Sequence, residues 1–364
     1  MIRRLTLRSI RAYPTLQVEL LGERTAFVGS NGSGKTTLLE AIHLLATLQS
    51  FRTARMSNLI ATGSDEAMIS GAWEDPTSTR AMRIIGGRRK LDRDGKASTV
   101  EHFCEGLAVV ALAPEHSRLL SDGPEERRRF LDRLLLVLQP TYFETARRYR
   151  KALAHKQALL REELPYSVYA DRVAPWNQEL DQYGAEIRRS RSELIAKIAP
   201  SLQRHYVDLI GRNESVGLRH RCSEESMAEE LERLGRAEHA AGRALVGPHR
   251  DDLELLLRER KAEEVCSQGE RFSILLALKL AERDEIRAQS GREPTLLFDD
   301  LGATLDAERR ERLLHEVLTG RQQLLVTTSD EGVAAALEAA GTTIVRKKVE
   351  SKADGFSVAC WLPR

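Results

Sequence analysis

Apolar and polar positions alternate over the first twenty residues: Ile2, Leu5 and Leu7 lead to Ile10, and Leu16, Val18 and Leu20 then fall on every second position. A period of two lines one face of a pleated strand, so this segment predicts strands. Thr25-Ala-Phe-Val28 is a short apolar run that stops at Gly29. After a glycine-rich stretch, Leu38, Leu39, Ile42, Leu45 and Ala46 recur at the spacing of a helix. Short strand-like pieces fill the chain from about Ala67 to Val110, with a turn at Asp94-Gly95.

The pattern changes at Gly123-Pro124. Proline at a first helical position, followed by Glu125 and Glu126, makes a good helix start, because the missing N–H has no intrahelical partner there and the acids meet the positive helix end. Helical patterns run through Leu160 and again from Trp176 to Leu209, punctuated by Pro140, Pro165, Pro175 and Pro200. Alternation returns at Leu253-Glu-Leu-Leu-Leu257, a helix follows from about Ser273 to Ala288, and Thr295–Phe298 and Leu324–Thr327 are apolar runs suited to buried parallel strands. The expected architecture is α/β with mixed sheets: one lobe built from 1–120 and 241–364, and an α-helical arm, 121–240, inserted between them.

Composition narrows the function classes. The chain has 364 residues, 30% of them charged and 41% hydrophobic, which is globular rather than disordered. The net charge of +2 excludes a bulk polyelectrolyte binder, so any nucleic-acid contact must come from local basic patches or an assembled surface. Cys104, Cys222, Cys266 and Cys360 form no C-x-x-C pair, which speaks against a zinc site or a disulfide framework. No signal-peptide pattern opens the chain and no uncharged run is long enough for a bilayer, so a soluble, cytoplasmic protein without a membrane partner is expected.

The chemistry begins at Gly29-Ser-Asn-Gly-Ser-Gly-Lys-Thr36, which fits G-x-x-x-x-G-K-[ST] between a strand and a helix. Glycines allow consecutive backbone N–H groups to converge on phosphate oxygens, and the helix N-terminus adds partial positive charge. Gly29, Ser30, Asn31, Gly32, Ser33, Gly34, Lys35, Thr36 and Thr37 are therefore candidate ATP contacts, with Lys35 reaching the β- and γ-phosphates and the Thr36 hydroxyl on Mg²⁺. Downstream, Thr295-Leu-Leu-Phe-Asp-Asp300 is an apolar strand ending in two carboxylates. Placed beside the phosphate-loop strand, it delivers Asp299 to the Mg²⁺ shell and leaves Asp300 to face the attacking water. Related ATPases carry glutamate at that second position; the shorter aspartate predicts slow turnover, since misplacing a catalytic group costs rate steeply.

Ser267-Gln-Gly-Glu270 opens the Ser273–Ala288 helix at the distance upstream of Asp299 where ABC-type ATPases carry their signature, and Ala303-Thr-Leu-Asp306 resembles their D-loop. In such heads the signature closes over the γ-phosphate held by a partner's loop, so the resemblance adds Ser267, Gln268, Gly269 and Asp306 as nucleotide contacts across a homodimer. Arg11 stands where related heads touch the nucleotide.

Several further stretches carry a closer resemblance: Leu38-Leu-Glu-Ala-Ile-His43, Ser50-Phe-Arg-Thr53, Gly123-Pro-Glu-Glu-Arg-Arg-Arg-Phe-Leu-Asp132, Gly247-Pro-His-Arg-Asp-Asp252 and Leu276-Ala-Leu-Lys-Leu-Ala-Glu282. Over nearly its whole length the chain resembles the RecF family, bacterial relatives of SMC-type ATPase heads. The resemblance implies an ABC-type P-loop ATPase head that dimerises on ATP and hydrolyses it slowly. It also implies binding to double-stranded DNA or duplex/single-strand junctions, and help to RecO and RecR in loading RecA at gaps during recombinational repair and fork maintenance. Ala113-Pro-Glu115 fills the place where ABC heads usually carry a glutamine, with Glu115 as its substitute. Arg52 resembles the arginine that couples DNA contact to hydrolysis in SMC heads; a solvated loop arginine is the plainer reading. The arm clusters Arg127–Arg129, Arg147, Arg148, Arg150, Lys151 and Arg188, Arg189, Arg191 are candidates for phosphate contact, against the alternative of solvated faces paired with nearby glutamates. A competing function, an ABC-type ATPase acting on a protein partner, would be favoured by a switch histidine after the last core strand, where this chain has Thr327-Thr-Ser329.

Overall fold

In the computed structural model, residues 1–20, 22–74, 77–301, 307–351 and 357–363 are described. The chain divides into two units, Met1–Ser117 with Asp208–Gly211 and Gln268–Arg364, and Arg118–Val207 with Arg212–Ser267. The second unit thus takes in residues 241–267, which the sequence pattern groups with the C-terminal part of the ATPase lobe.

The first unit opens with β1 (Ile2–Ile10), β2 (Tyr13–Glu19), β3 (Arg24–Val28), α1 (Lys35–Thr47), β4 (Glu66–Glu74), β5 (Thr77–Ile85), β6 (Arg88–Arg93), β7 (Lys96–Ala97), α2 (Val100–Cys104) and β8 (Val109–Leu112). The second unit follows with α3 (Arg118–Ser121), α4 (Pro124–Leu138), α5 (Tyr142–Leu159), α6 (Tyr166–Ile210), β9 (Val216–Arg221), α7 (Met227–Ala241), β10 (Asp252–Leu257), β11 (Arg260–Lys261) and α8 (Ala262–Val265). The chain then completes the first unit with α9 (Gln268–Ser290), β12 (Thr295–Phe298), α10 (Ala307–Thr319), β13 (Leu324–Thr328), α11 (Glu331–Ala339), β14 (Thr343–Ser351) and β15 (Ser357–Pro363).

The alternating N-terminal strands build an antiparallel sheet in the order β2-β1-β4-β5-β6-β7. The continuous apolar runs build a second sheet, β15-β14-β3-β13-β12-β8, parallel except for the β14–β15 pair. Helix α1 packs on β1, β4 and β5 of the first sheet and on β8, β12 and β13 of the second. A helix held between two sheets is buried on every side, which is why Leu38, Leu39, Ile42 and Leu45 are joined in the core by Glu40 and His43. Each fully buried leucine or isoleucine contributes roughly 1.5–3 kcal/mol, and the two polar residues are tolerated because both find partners.

Two expectations are corrected. The strand bearing Asp299 does not lie beside β3: β13 is inserted between β3 and β12. A sequence shows that a strand is apolar and buried but not which neighbour it takes, and here the strand that comes later in the chain fills the gap. In the second unit, Pro175 and Pro200 do not punctuate the helix; α6 runs through both. Each proline removes one helical hydrogen bond. The burial of Tyr169, Val173, Leu180, Ile187, Leu194, Ile198, Leu202, Tyr206 and Leu209 along the same helix offsets that loss. The unit also carries a small antiparallel sheet, β11-β10-β9. Among the described residues no helix is long and apolar enough to cross a membrane.

Candidate functional site

The glycine-rich loop leaves β3 and enters α1. Gly29 N donates to Thr328 O at 3.3 Å, tying the loop to the end of β13, and Ser33 N donates to Ser30 O at 3.2 Å. Gly32 (φ 79°) and Gly34 (φ 98°) both lie in the left-handed region. At Gly34 the requirement is double, since a Cβ there would stand 2.2 Å from the Tyr13 hydroxyl. Tyr13, which opens β2 and donates to Ser33 O at 3.3 Å, is thus a wall of the loop that no sequence motif marks.

Lys35 is nearly buried, and its ammonium turns back onto the loop carbonyls of Gly29 (2.6 Å) and Ser30 (2.8 Å). Burial pulls its pKa below the usual lysine range, opposed by the charges of Asp300 and Asp299. Thr36 Oγ1 donates to Asp299 Oδ1 at 3.0 Å, and Thr327 Oγ1 donates to the same oxygen at 2.6 Å. Asp300 N donates to Thr327 Oγ1 at 2.8 Å. The hydroxyl of Thr327 therefore reads both carboxylate residues, a role the sequence does not mark. Burial drives the Asp299 carboxyl above its ordinary range; the two threonine hydroxyls oppose this, and the charges of Glu115 and Asp300 add to it. Asp300 itself sits at φ 58°, a left-handed conformation that aspartate tolerates better than most residues.

These residues fit a nucleoside triphosphate with a divalent cation. The loop offers backbone donors and an ammonium held by carbonyls that a phosphate would outcompete. Beside it, a buried, desolvated carboxylate and a hydroxyl stand among further acids, an arrangement that a cation would neutralise.

Around this centre lies a second layer. Arg11 binds Glu40 with two hydrogen bonds of 2.8 Å, and Glu40 is almost wholly buried. Ser50 Oγ donates to the same carboxylate and accepts from Arg52 N (2.9 Å) and Thr53 N (3.0 Å), which fixes the turn carrying Arg52. Arg52 in turn lies 3.3 Å from Glu115, which follows β8 in a short 3₁₀ turn. Arg52 is thus ion-paired while still exposed to solvent, and Arg11 is engaged by a carboxylate.

Of the remaining candidates, Gln268 and Gly269 form the first turn of α9, with Ser267 just before it. Asp306 lies outside the described residues. The arm arginines separate into two classes. Arg127 binds Asp252 (2.8 and 2.9 Å), Arg188 binds Asp251 (3.0 and 3.1 Å), and Arg191 binds Asp132 (2.8 and 2.9 Å) and Pro248 O (2.7 Å); all three side chains are largely buried. Arg147 and Arg148 share the exposed Glu144, and Arg189 is exposed. A run of arginines looks alike in sequence whether it meets solvent or a buried acid.

Residues 1–351 match the family described as RecF/RecN/SMC N terminal domain. The chain is similar to the DNA replication and repair protein RecF of Anaeromyxobacter sp. (strain Fw109-5), with 36% identity over 86% of this chain and 89% of that one. The RecF protein of Acidothermus cellulolyticus is also 36% identical, over 90% of this chain and 93% of its own. Among solved structures, a recombination mediator protein RecF-ATP structure of the RecFOR pathway superposes with a TM-score of 0.84 at 22% identity, covering 98% of this chain and 97% of that one. The Smc head domain from Pyrococcus furiosus gives 0.56 at 19% identity, over 100% and 96%. The fold is that of an SMC- and RecF-type ATPase head.

Proposed function

The chain belongs to the RecF/RecN/SMC N terminal domain family, and from that premise we propose that it is an ATP-dependent DNA-binding protein of recombinational repair and replication. In this reading ATP closes two copies into a dimer on duplex DNA or a duplex/single-strand junction, hydrolysis is slow, and RecO and RecR are the partners through which RecA is loaded. One observation carries the nucleotide part: the convergence of Thr36 and Thr327 on Asp299, with the Lys35 ammonium held on the loop carbonyls beside it.

With ATP and Mg²⁺ bound, the triphosphate supplies the phosphoryl group and the cation neutralises its charge. Lys35 exchanges two carbonyls for phosphate oxygens. Thr36 and Asp299 hold the cation side, and Thr327 keeps the Asp299 carboxylate aimed by its 2.6 Å bond. Asp300, oriented through its backbone bond to Thr327, is the group placed to orient water. Ser267, Gln268, Gly269 and Asp306 serve the nucleotide of the partner copy, and Arg11 reaches the nucleotide only by leaving Glu40. On the DNA side, Arg147, Arg148, Lys151 and Arg189 are the residues whose exposed or weakly paired charge can move to phosphate, because surface ion pairs are worth only about 0–1 kcal/mol.

Duplex binding measured with and without ATP across a salt series tests the reading. Binding should need ATP and weaken linearly on a logarithmic salt scale, and Lys35→Met should remove the ATP dependence. Duplex retention by Lys35→Met in ATP as tight as that of the unaltered chain would separate DNA from this site and overturn the proposal.

A further inference from the structure

Gly247-Pro-His-Arg-Asp-Asp252 is the segment that the nucleotide site leaves unused, and most of its groups are consumed within the second unit. Asp252 and Asp251 hold Arg127 and Arg188, and Pro248 O accepts from Arg191. Gly247 (φ 126°) lets the Tyr149 hydroxyl approach where a Cβ would meet it at 2.3 Å, and that hydroxyl bonds His249 Nδ1 at 2.6 Å. The segment thereby walls one side of a cavity of about 190 Å³ between α4, α5 and α6.

What the cavity leaves unsatisfied points to a ligand. Four arginines line it against two carboxylates. Arg191 is neutralised by Asp132 and Arg129 by Glu125 and Glu126. Arg128 bonds the Asp251 carbonyl, at 2.8 Å, with the charges of Asp252, Glu125 and Asp132 near it but outside ion-pair distance, and Arg150 bonds the Ala146 carbonyl, at 3.1 Å, so among the described residues neither guanidinium is held in an ion pair. Ala146, Leu153, Ile187 and Pro248 give the wall an apolar side, next to the rings of Tyr142 and Tyr149. An anion with an apolar neighbour satisfies both halves. The space exceeds that of one side chain, since a cavity of roughly 150 Å³ already holds a benzene-sized group. A nucleic-acid backbone could meet the exposed Arg150 through its phosphates but has no aliphatic group to place against Leu153 and Ile187.

We propose that this cavity is a docking site for a peptide of a protein partner, taking an aspartate or glutamate side chain against Arg128 and Arg150 with a flanking aliphatic residue on Leu153 and Ile187. The inference does not rest on the nucleotide reading, and ATP binding by each variant is measured in parallel.

Fluorescent peptides Gly-Leu-X-Leu-Gly, with X as Asp, Glu, Asn or Lys, are titrated with the full chain and followed by anisotropy. The Asp and Glu peptides should bind about tenfold or more tighter than the Asn and Lys peptides. Arg150→Glu, at an exposed position whose side chain bonds only a carbonyl, should reverse that order and favour the Lys peptide. Leu153→Asp should weaken all four. No preference for the acidic peptides, or a preference that survives Arg150→Glu, would overturn the proposal. So would displacement of the Asp peptide by an unlabelled DNA duplex with loss of duplex binding in Arg150→Glu, which would make the cavity a phosphate site instead.

Discussion

Asp299 shows how a single side chain can trade stability for function. Its carboxylate is taken from water by the core and left beside Glu115 and Asp300. Two hydroxyls soften the cost without removing it, because burial outweighs them. A carboxyl that titrates above its unfolded value makes the fold most stable below the unfolded carboxylate range, and that stability is lost as pH rises through the folded titration. Nucleotide-free protein should therefore carry a penalty at neutral pH. Asp299→Asn keeps the acceptor for Thr36 and Thr327 but drops the charge. Its melting midpoint without nucleotide should rise by about 2 °C or more, on the scale of roughly 2–4 °C per kcal/mol for chains somewhat smaller than this one. The further stabilisation given by ATP with Mg²⁺ should vanish. Calorimetry with and without nucleotide checks both; a normal Mg²⁺-ATP shift in Asp299→Asn would remove this residue from the cation site.

At the scale of elements, the second unit is held by charge as much as by oil. Lys156 on α5 and Glu238 on α7 are almost fully buried and 2.6 Å apart. Lys156 also donates to Asn177 on α6 at 2.9 Å, and Glu238 accepts from the backbone of Leu245 (2.7 Å) and Val246 (3.2 Å), just before the Gly247 segment. One pair thus joins three helices to the wall of the cavity. Lys156→Met should cost about 3–5 kcal/mol, because it leaves a buried carboxylate unpaired. Adding Glu238→Gln, which retains an acceptor for the two backbone donors, should recover most of that loss. Urea unfolding of the single and double variants decides it; equal stability of the two would mean that the pair is not coupled. None of this is legible in the sequence, where Lys156 is one basic residue in a charged helix. The phosphate loop, the acidic strand end and the burial of β12 and β13 were legible because each is written in consecutive residues. The order of those strands, the hold of Thr327 on Asp299 and the division of the arm arginines into buried and exposed were not. Each depends on a partner 28 or more positions away, and local spacing carries no information about such partners.

For the molecule as a whole, the net charge of +2 constrains how DNA can be bound. So little excess charge gives no strong long-range attraction to a polyanion. The arm arginines that are ion-paired inward are unavailable to phosphate as well. Affinity then has to come from a few exposed cations, and doubling them in an assembled dimer is the simplest way to make that small number sufficient. Counterion release accumulates with each phosphate contacted, so two copies acting as one bind far more tightly than either alone. Under the proposed function, ATP is what joins the copies, through the residues at the start of α9. Light scattering should accordingly show the chain shifting from monomer toward dimer when ATP and Mg²⁺ are added. Ser267→Arg places a bulky charge at that start and should abolish the shift while leaving the binding of one nucleotide per chain intact, as measured by a fluorescent ATP analogue. Duplex affinity should fall with the dimer, and the salt slope should flatten because fewer phosphates are contacted at once. A Ser267→Arg protein that still dimerises with ATP would place the contact between copies elsewhere, and the low net charge would then need a different explanation for any tight hold on DNA.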